Sequence, residues 1–168
     1  MITPGYVQRM ARYNRWQNES IYGAADALSE AARRMDRGSF FESIHATLSH
    51  VLWADELWMS RLANWDAPTG TSREVPLYDD WQVLKARRAE ADQRFLSWGD
   101  GISQAEIDGD LEWYSGTLKR GMTSPRALCV MQVFNHQTHH RGQVHAMLTA
   151  AGASPEDTDI PFMPDAYL

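Results

Sequence analysis

Cys129, Val133, His136, His140, Val144 and Met147 recur at intervals of three and four residues. A helix lines such positions up along one face. The stripe is apolar apart from two imidazoles one turn apart, so this helix carries both histidines on the side it buries. One reading is a pair of core histidines satisfied by hydrogen bonds. Burying two imidazoles without a shared task is costly, however. The sharper reading is a divalent metal ion gripped by both rings, as by the first two ligands of helical zinc sites. A pair cannot close a site, so a third ligand has to come from elsewhere in the chain. His50, within Leu48-Ser49-His50-Val51-Leu52-Trp53, is the best candidate, and its neighbours Thr47 and Ala54 are small enough to leave room for an ion and a substrate.

The remaining histidines fit less well. His45 lies about 140° around the helix from His50, so the two do not easily reach one ion. His139 is offset by about 60° from His136, on the side away from His140. It can replace either ligand, orient one, or touch a substrate. His145 is roughly half a turn from His136, which suits a surface or interface position.

The rest of the chain predicts long helices. Thr3-Pro4 is a helix start, with a capping hydroxyl and then proline. Val7, Met10, Ala11, Asn14, Asn18, Ile21, Ala25 and Leu28 follow with helical spacing, and Gly23 and Ser29 predict a bend or an end before Met35. Asn14 and Asn18 share the inward stripe, where they cross-link helices or orient a ligand imidazole. Ser39-Phe40-Phe41-Glu42 matches a capping box for a second helix ending near Asn64. Ala67 through Pro76 reads as a loop. Asp79 or Asp80 caps a third helix, ended by Gly99. Within it, Lys85 to Arg94 reads as an exposed, charge-paired face. Leu111–Tyr114 and Lys119–Met122 suggest a small hairpin. Ser124-Pro125 opens the fourth helix, which stops at Gly152. Ile160, Phe162, Met163 and Tyr167 predict a tail strapped onto the helices. Asp55 is expected to pair with Arg61 or contact the site, and Cys129 to sit in the core. Trp53 and Trp58 suit the core or a pocket wall, and Arg141 either anchors an anion or is solvated. Four long amphipathic helices bury enough surface only side by side, as an all-α antiparallel four-helix bundle in one domain, residues 1–168.

Composition narrows the function. The net charge of −6, with no outweighing basic cluster, argues against nucleic acid as main partner. A single cysteine rules out an intramolecular disulfide and a thiolate-rich zinc site, and it fits the cytoplasm. No apolar run approaches the roughly 20 residues of a membrane span. Seven tryptophans predict broad helix interfaces or an aromatic-walled pocket. In His136-Gln137-Thr138-His139-His140, Gln137 stands where a helical metalloprotease needs its glutamate base. The several inward glutamates of di-iron bundles are missing too. Three neutral imidazoles would leave an ion's +2 charge uncompensated. An open fourth position would then favour hydroxide or a thiolate and generate a nucleophile near neutral pH.

At these residues the chain resembles the DinB-like family of metal-binding four-helix proteins. The matching segments are Tyr13-Asn14-Arg15-Trp16, Phe40 through His50 with Trp53-Ala54-Asp55 and Trp58, Phe134 through Gln143, and Asp159-Ile160-Pro161-Phe162-Met163. The resemblance implies an up-down-down-up bundle, usually a homodimer. It implies zinc, nickel or a related ion on His50, His136 and His140. Characterised relatives include transferases and isomerases that use low-molecular-weight thiols such as bacillithiol, mycothiol or glutathione. The function expected by analogy is therefore a metal-dependent transferase using such a thiol on a small-molecule substrate, or a related hydrolase. The alternative is a non-catalytic metal-binding protein of the stress response, or an interaction module.

Overall fold

The computed structural model describes residues 1–71 and 77–168, so residues 72–76 of the expected loop lie outside the described residues. The fold is mostly helical, with six α-helices and one two-stranded sheet among the described residues. Helix α1 (Pro4–Asp26) starts as expected, with Thr3 extended and its Oγ1 accepting from the Tyr6 amide at 3.3 Å. It ends at the break foreseen after Gly23, and Ser29 caps a short α2 (Glu30–Arg34).

Helix α3 (Ile44–Leu62) starts later than the Ser39/Glu42 pattern predicts. Those two residues close a tight turn instead, the Glu42 amide donating to the Ser39 carbonyl at 2.9 Å. Glu42 sits in the left-handed region at φ 64°, which is incompatible with helix. Ser43 is the true cap, its Oγ accepting from the Ala46 amide at 3.1 Å. The turn sends Phe40 into solvent and Phe41 inward.

Asp80 caps α4 (Trp81–Gly101), accepting from the amides of Gln82 and Val83. The helix runs through Gly99 rather than stopping there. A Cβ at Gly99 would lie 3.5 Å from Ala11 Cβ and from Gln8 Cα, so this glycine serves the close approach of α4 to α1. Helix α5 (Gln104–Asp108), which lacks a readable period, starts with a capping box formed by Ser103 and Glu106. The expected hairpin is present and slightly longer. Strands β1 (Asp110–Ser115) and β2 (Arg120–Pro125) pair antiparallel, with Trp113 opposite Met122. Ser124 and Pro125 therefore end a strand, and α6 (Arg126–Ala150) begins without a side-chain cap. Gly152 ends it at φ 80°.

Helix α1 packs on α4 and α6, and α3 packs on α6 and α4. Leu48, Leu52, Leu84, Phe95, Val133, Phe134 and Leu148 fill the space between them, joined by Cys129. Each such fully buried side chain stabilises the fold by ~1.5–3 kcal/mol relative to exposure. The tail crosses α1 as a strap. Tyr13, Trp16 and Gln17 donate to the Thr158 carbonyl, the Glu156 carboxylate and the Asp157 carbonyl at 2.7, 2.8 and 2.8 Å. Met163 is buried against Tyr13 and Trp16, whereas Ile160 and Phe162 stay exposed.

A polar ladder crosses the core. Arg88 of α4 pairs with Asp55 of α3 at 2.6 Å and with Asp92 at 2.9 Å. Gln137 of α6 donates to Asp55 at 2.8 Å and accepts from Asn14 of α1, and Asn18 donates to Asp92 at 2.8 Å. Of the two roles expected for Asp55, pairing with Arg61 or contacting the site, the first is not found, because Asp55 points into this ladder with Arg88 and Gln137. The exposed face expected for Lys85 to Arg94 is corrected at Arg88 and Asp92. Both occupy inward positions between Leu84 and Phe95. Among the described residues no helix is long and apolar enough to cross a membrane.

Candidate metal centre

Three ring nitrogens converge between α3 and α6. His50 comes from the middle of α3, and His136 and His140 from adjacent turns of α6. One ligand atom from each lies within 4.8 Å of the others, and His50 Nε2 is 3.2 Å from His136 Nε2. Zinc–imidazole bonds of ~2.0–2.1 Å in tetrahedral geometry would set nitrogens ~3.3 Å apart. The three residues therefore suit a single small ion, and they could hold one.

The electrostatics favour neutral donors. Burial pushes the His50 imidazole down to about 3, helped by His136 and His140. Burial likewise takes His136 down to about 4, with His139 adding to it. His140 is lowered to about 4, again chiefly by burial, although its hydrogen bond to Gln143 opposes the shift. Neutral imidazole is the form that binds metal. His140 Nδ1 lies 2.7 Å from Gln143 Oε1. Donation to that oxygen leaves Nε2 as the lone-pair nitrogen, a common way of orienting a ligand imidazole.

Aromatic rings wall the cluster. Phe41 stacks on His50 with centroids 3.9 Å apart and lies 5.6 Å from His140. Trp53 also stacks on His50, at 6.2 Å, and donates its indole N–H to the Thr69 carbonyl. Trp53 also lines a cleft of about 610 Å³ between α3 and the hairpin, together with Leu57, Trp58 and Trp113. Both tryptophans considered in the sequence, Trp53 and Trp58, are thus pocket walls. Phe41 and Gln143 were not singled out as site residues. Gln143 had a readable signal, standing three residues after His140 on the same helix face. Phe41 had none beyond its place in a matching segment.

The other candidates lie apart from the triad or at its rim. His45 is buried and turns away, its Nε2 2.7 Å from the Tyr78 carbonyl. His139 is exposed, its ring 4.9 Å from that of His140. His145 lines a different cavity, between α1 and α6, along with Arg141. Arg141 is not solvated. It is 5% exposed, with its guanidinium 5.5 Å from the Tyr13 ring centroid. Asn14 and Asn18 cross-link helices through the polar ladder.

A mostly helical protein with three convergent histidines on two packed helices is thus defined. The chain belongs to the DinB family, whose model matches residues 1–167. It is similar to protein DinB of Bacillus subtilis strain 168, with 23% identity over 156 residues, covering 90% of this chain and 89% of that one. Its fold matches the solved structure of a DinB-like protein from Bacillus cereus ATCC 10987 with a TM-score of 0.62. That match has 17% identity and covers 84% of this chain and 90% of the other.

Proposed function

We propose that His50, His136 and His140 hold one divalent ion, zinc or nickel, and that the protein is a transferase using a low-molecular-weight thiol, or a related hydrolase. The observation that carries this reading is the convergence of three neutral ring nitrogens beside an aromatic-walled cleft. A divalent ion held by these three histidines would supply Lewis acidity, lowering the pKa of a bound water or thiol. The chain's own residues do the rest. Gln143 orients the His140 ring, Phe41 covers one side of His50 against water, and Trp53 forms the wall shared with the cleft. The pairwise packing of α1, α3, α4 and α6 supports a four-helix bundle forming one domain, and family membership supports its up-down-down-up order. Family membership supports a cytoplasmic homodimer acting on a small molecule. The net charge of −6 supports a role without nucleic acid.

The test is metal content on untagged protein beside a His136→Ala variant. About one zinc or nickel ion per chain, lost in the variant, is the expected result. Wild-type protein that stays empty after loading with either metal overturns the reading. Thiol-transfer assays on the loaded protein then separate an enzyme from a non-catalytic metal-binding protein.

A further inference from the structure

Arg61 lies on α3 three turns beyond His50, half-buried, and among the described residues it pairs with no carboxylate. Arg87 is answered by Glu56, Arg88 by Asp55 and Asp92, and Arg34 by Asp79. Arg33, Arg94 and Arg141, like Arg61, lie over aromatic rings without a carboxylate among the described residues. Of these four, Arg61 is the one that lines the cleft beside Trp53. Arg61 instead lies over two indole rings, 4.8 Å from the Trp58 centroid and 5.8 Å from that of Trp113. The rings themselves meet edge-on at 5.7 Å. All three side chains line the cleft of about 610 Å³ that Trp53 shares with the histidine cluster.

The cleft is thus a trough with two unlike ends. One end adjoins His50 through Trp53. The other holds a cation with planar donors that lies over two aromatic rings and pairs with no carboxylate among the described residues. Its floor is apolar, from Leu57, Trp58, Trp113 and Met122. From His50 to Arg61 the helix rises ~16 Å, the length of an extended ligand and not of a simple anion. A guanidinium has five N–H donors in a fork that fits a carboxylate or sulfonate, and desolvated aromatic surroundings strengthen that contact.

We propose that this cleft binds an elongated organic anion with an aromatic or apolar body. Its acidic group sits on Arg61, its body lies on Trp58 and Trp113, and its far end points past Trp53 to the histidines. Only that last element rests on the proposed metal site.

The probe is the fluorescent anion 1-anilinonaphthalene-8-sulfonate, compared with N-phenyl-1-naphthylamine, the same ring system without the sulfonate. On full-length, metal-loaded wild type the anion binds at least about tenfold tighter than the neutral amine, the range of one charged hydrogen-bonded contact. Arg61→Gln abolishes that preference and leaves the amine's Kd unchanged, whereas Arg61→Lys retains part of it. Trp113→Ala weakens both probes, with near-UV circular dichroism confirming that each variant is folded. His136→Ala keeps the anion preference, so loss of the metal reading leaves this result standing. Equal binding of the two probes by wild type, no binding of either, or an unchanged preference in Arg61→Gln overturns the proposal.

Discussion

Two polar clusters share the core of this protein and the same pair of helices, yet they answer burial in opposite ways. Helix α3 carries His50 and, five residues on, Asp55. Helix α6 carries His136 and His140, with Gln137 between them. Asp55 and Gln137 join Arg88 and Asp92, where charge meets charge at 2.6 and 2.9 Å. Among the described residues His50, His136 and His140 pair with no carboxylate. They lose their charge instead and turn nitrogens toward a common point. A buried cluster whose charges are answered from within holds helices together. One that remains neutral and convergent leaves lone pairs that could hold an ion.

Breaking the first cluster is expected to cost most. Arg88→Leu leaves Asp55 and Asp92 without their cation, and urea unfolding should show a loss of ~3–5 kcal/mol. The triple replacement of Arg88, Asp55 and Asp92 by leucine should recover only part of it, because the Gln137 and Asn18 amides lose their acceptors on Asp55 and Asp92. A loss below ~1 kcal/mol for the single variant would deny the ladder its structural role. In the second cluster, Gln143→Ala frees the His140 ring. Titration with zinc should show affinity reduced ~10–100-fold with little change in metal-free stability. Unchanged affinity would mean that the Gln143 contact does not orient a ligand.

The pH dependence separates the clusters further. His50, His136 and His140 titrate near 3, 4 and 4 in the folded protein, against an unperturbed value of 6.5. Below pH 6.5 the unfolded chain therefore binds more protons than the native one. The stability these rings contribute is complete above 6.5 and is lost as pH falls through about 4 for His136 and His140 and about 3 for His50. In chelator-treated protein, His136→Ala should lose stability less steeply across that window, and identical slopes would refute the assignment. The smallest effect is expected at the shared support. Ser43→Ala removes the cap of α3 and should cost ~1 kcal/mol, seen as a Tm lower by about 2–4 °C.

Much of this was legible in the chain because local rules and the fold agree. Spacing placed His136 and His140 inward, and the structure brings His50 to them. Thr3, Asp80 and Gly152 bound their helices as their chemistry requires. The hairpin followed from the break in period. Local rules failed where distant packing outweighed them. Ser39 and Glu42 have capping-box spacing, but burying Phe41 against His50 goes with a left-handed turn at that point. Arg88 and Asp92 stand at core positions of their own helix. Their charge argued for solvent, and the partner carboxylate on α3 was invisible in the linear chain. Arg61 gains its meaning only from what the fold sets beside it, whereas Gln143 stands one helical turn from His140 and was legible from spacing.

Helix α1 has a consequence for folding. Its polar groups find their partners far along the chain: Asn14 at a separation of 123 residues, Trp16 and Gln17 at 140, and Tyr13 at 145. At ~5–20 residues per second of synthesis, the helix waits roughly 7–28 s for the strap that fastens it. It is made before the helices it packs on and secured after them. In the newborn chain its apolar stripe is the surface most in need of protection, and these long-range contacts raise the contact order of an otherwise locally folding helical protein.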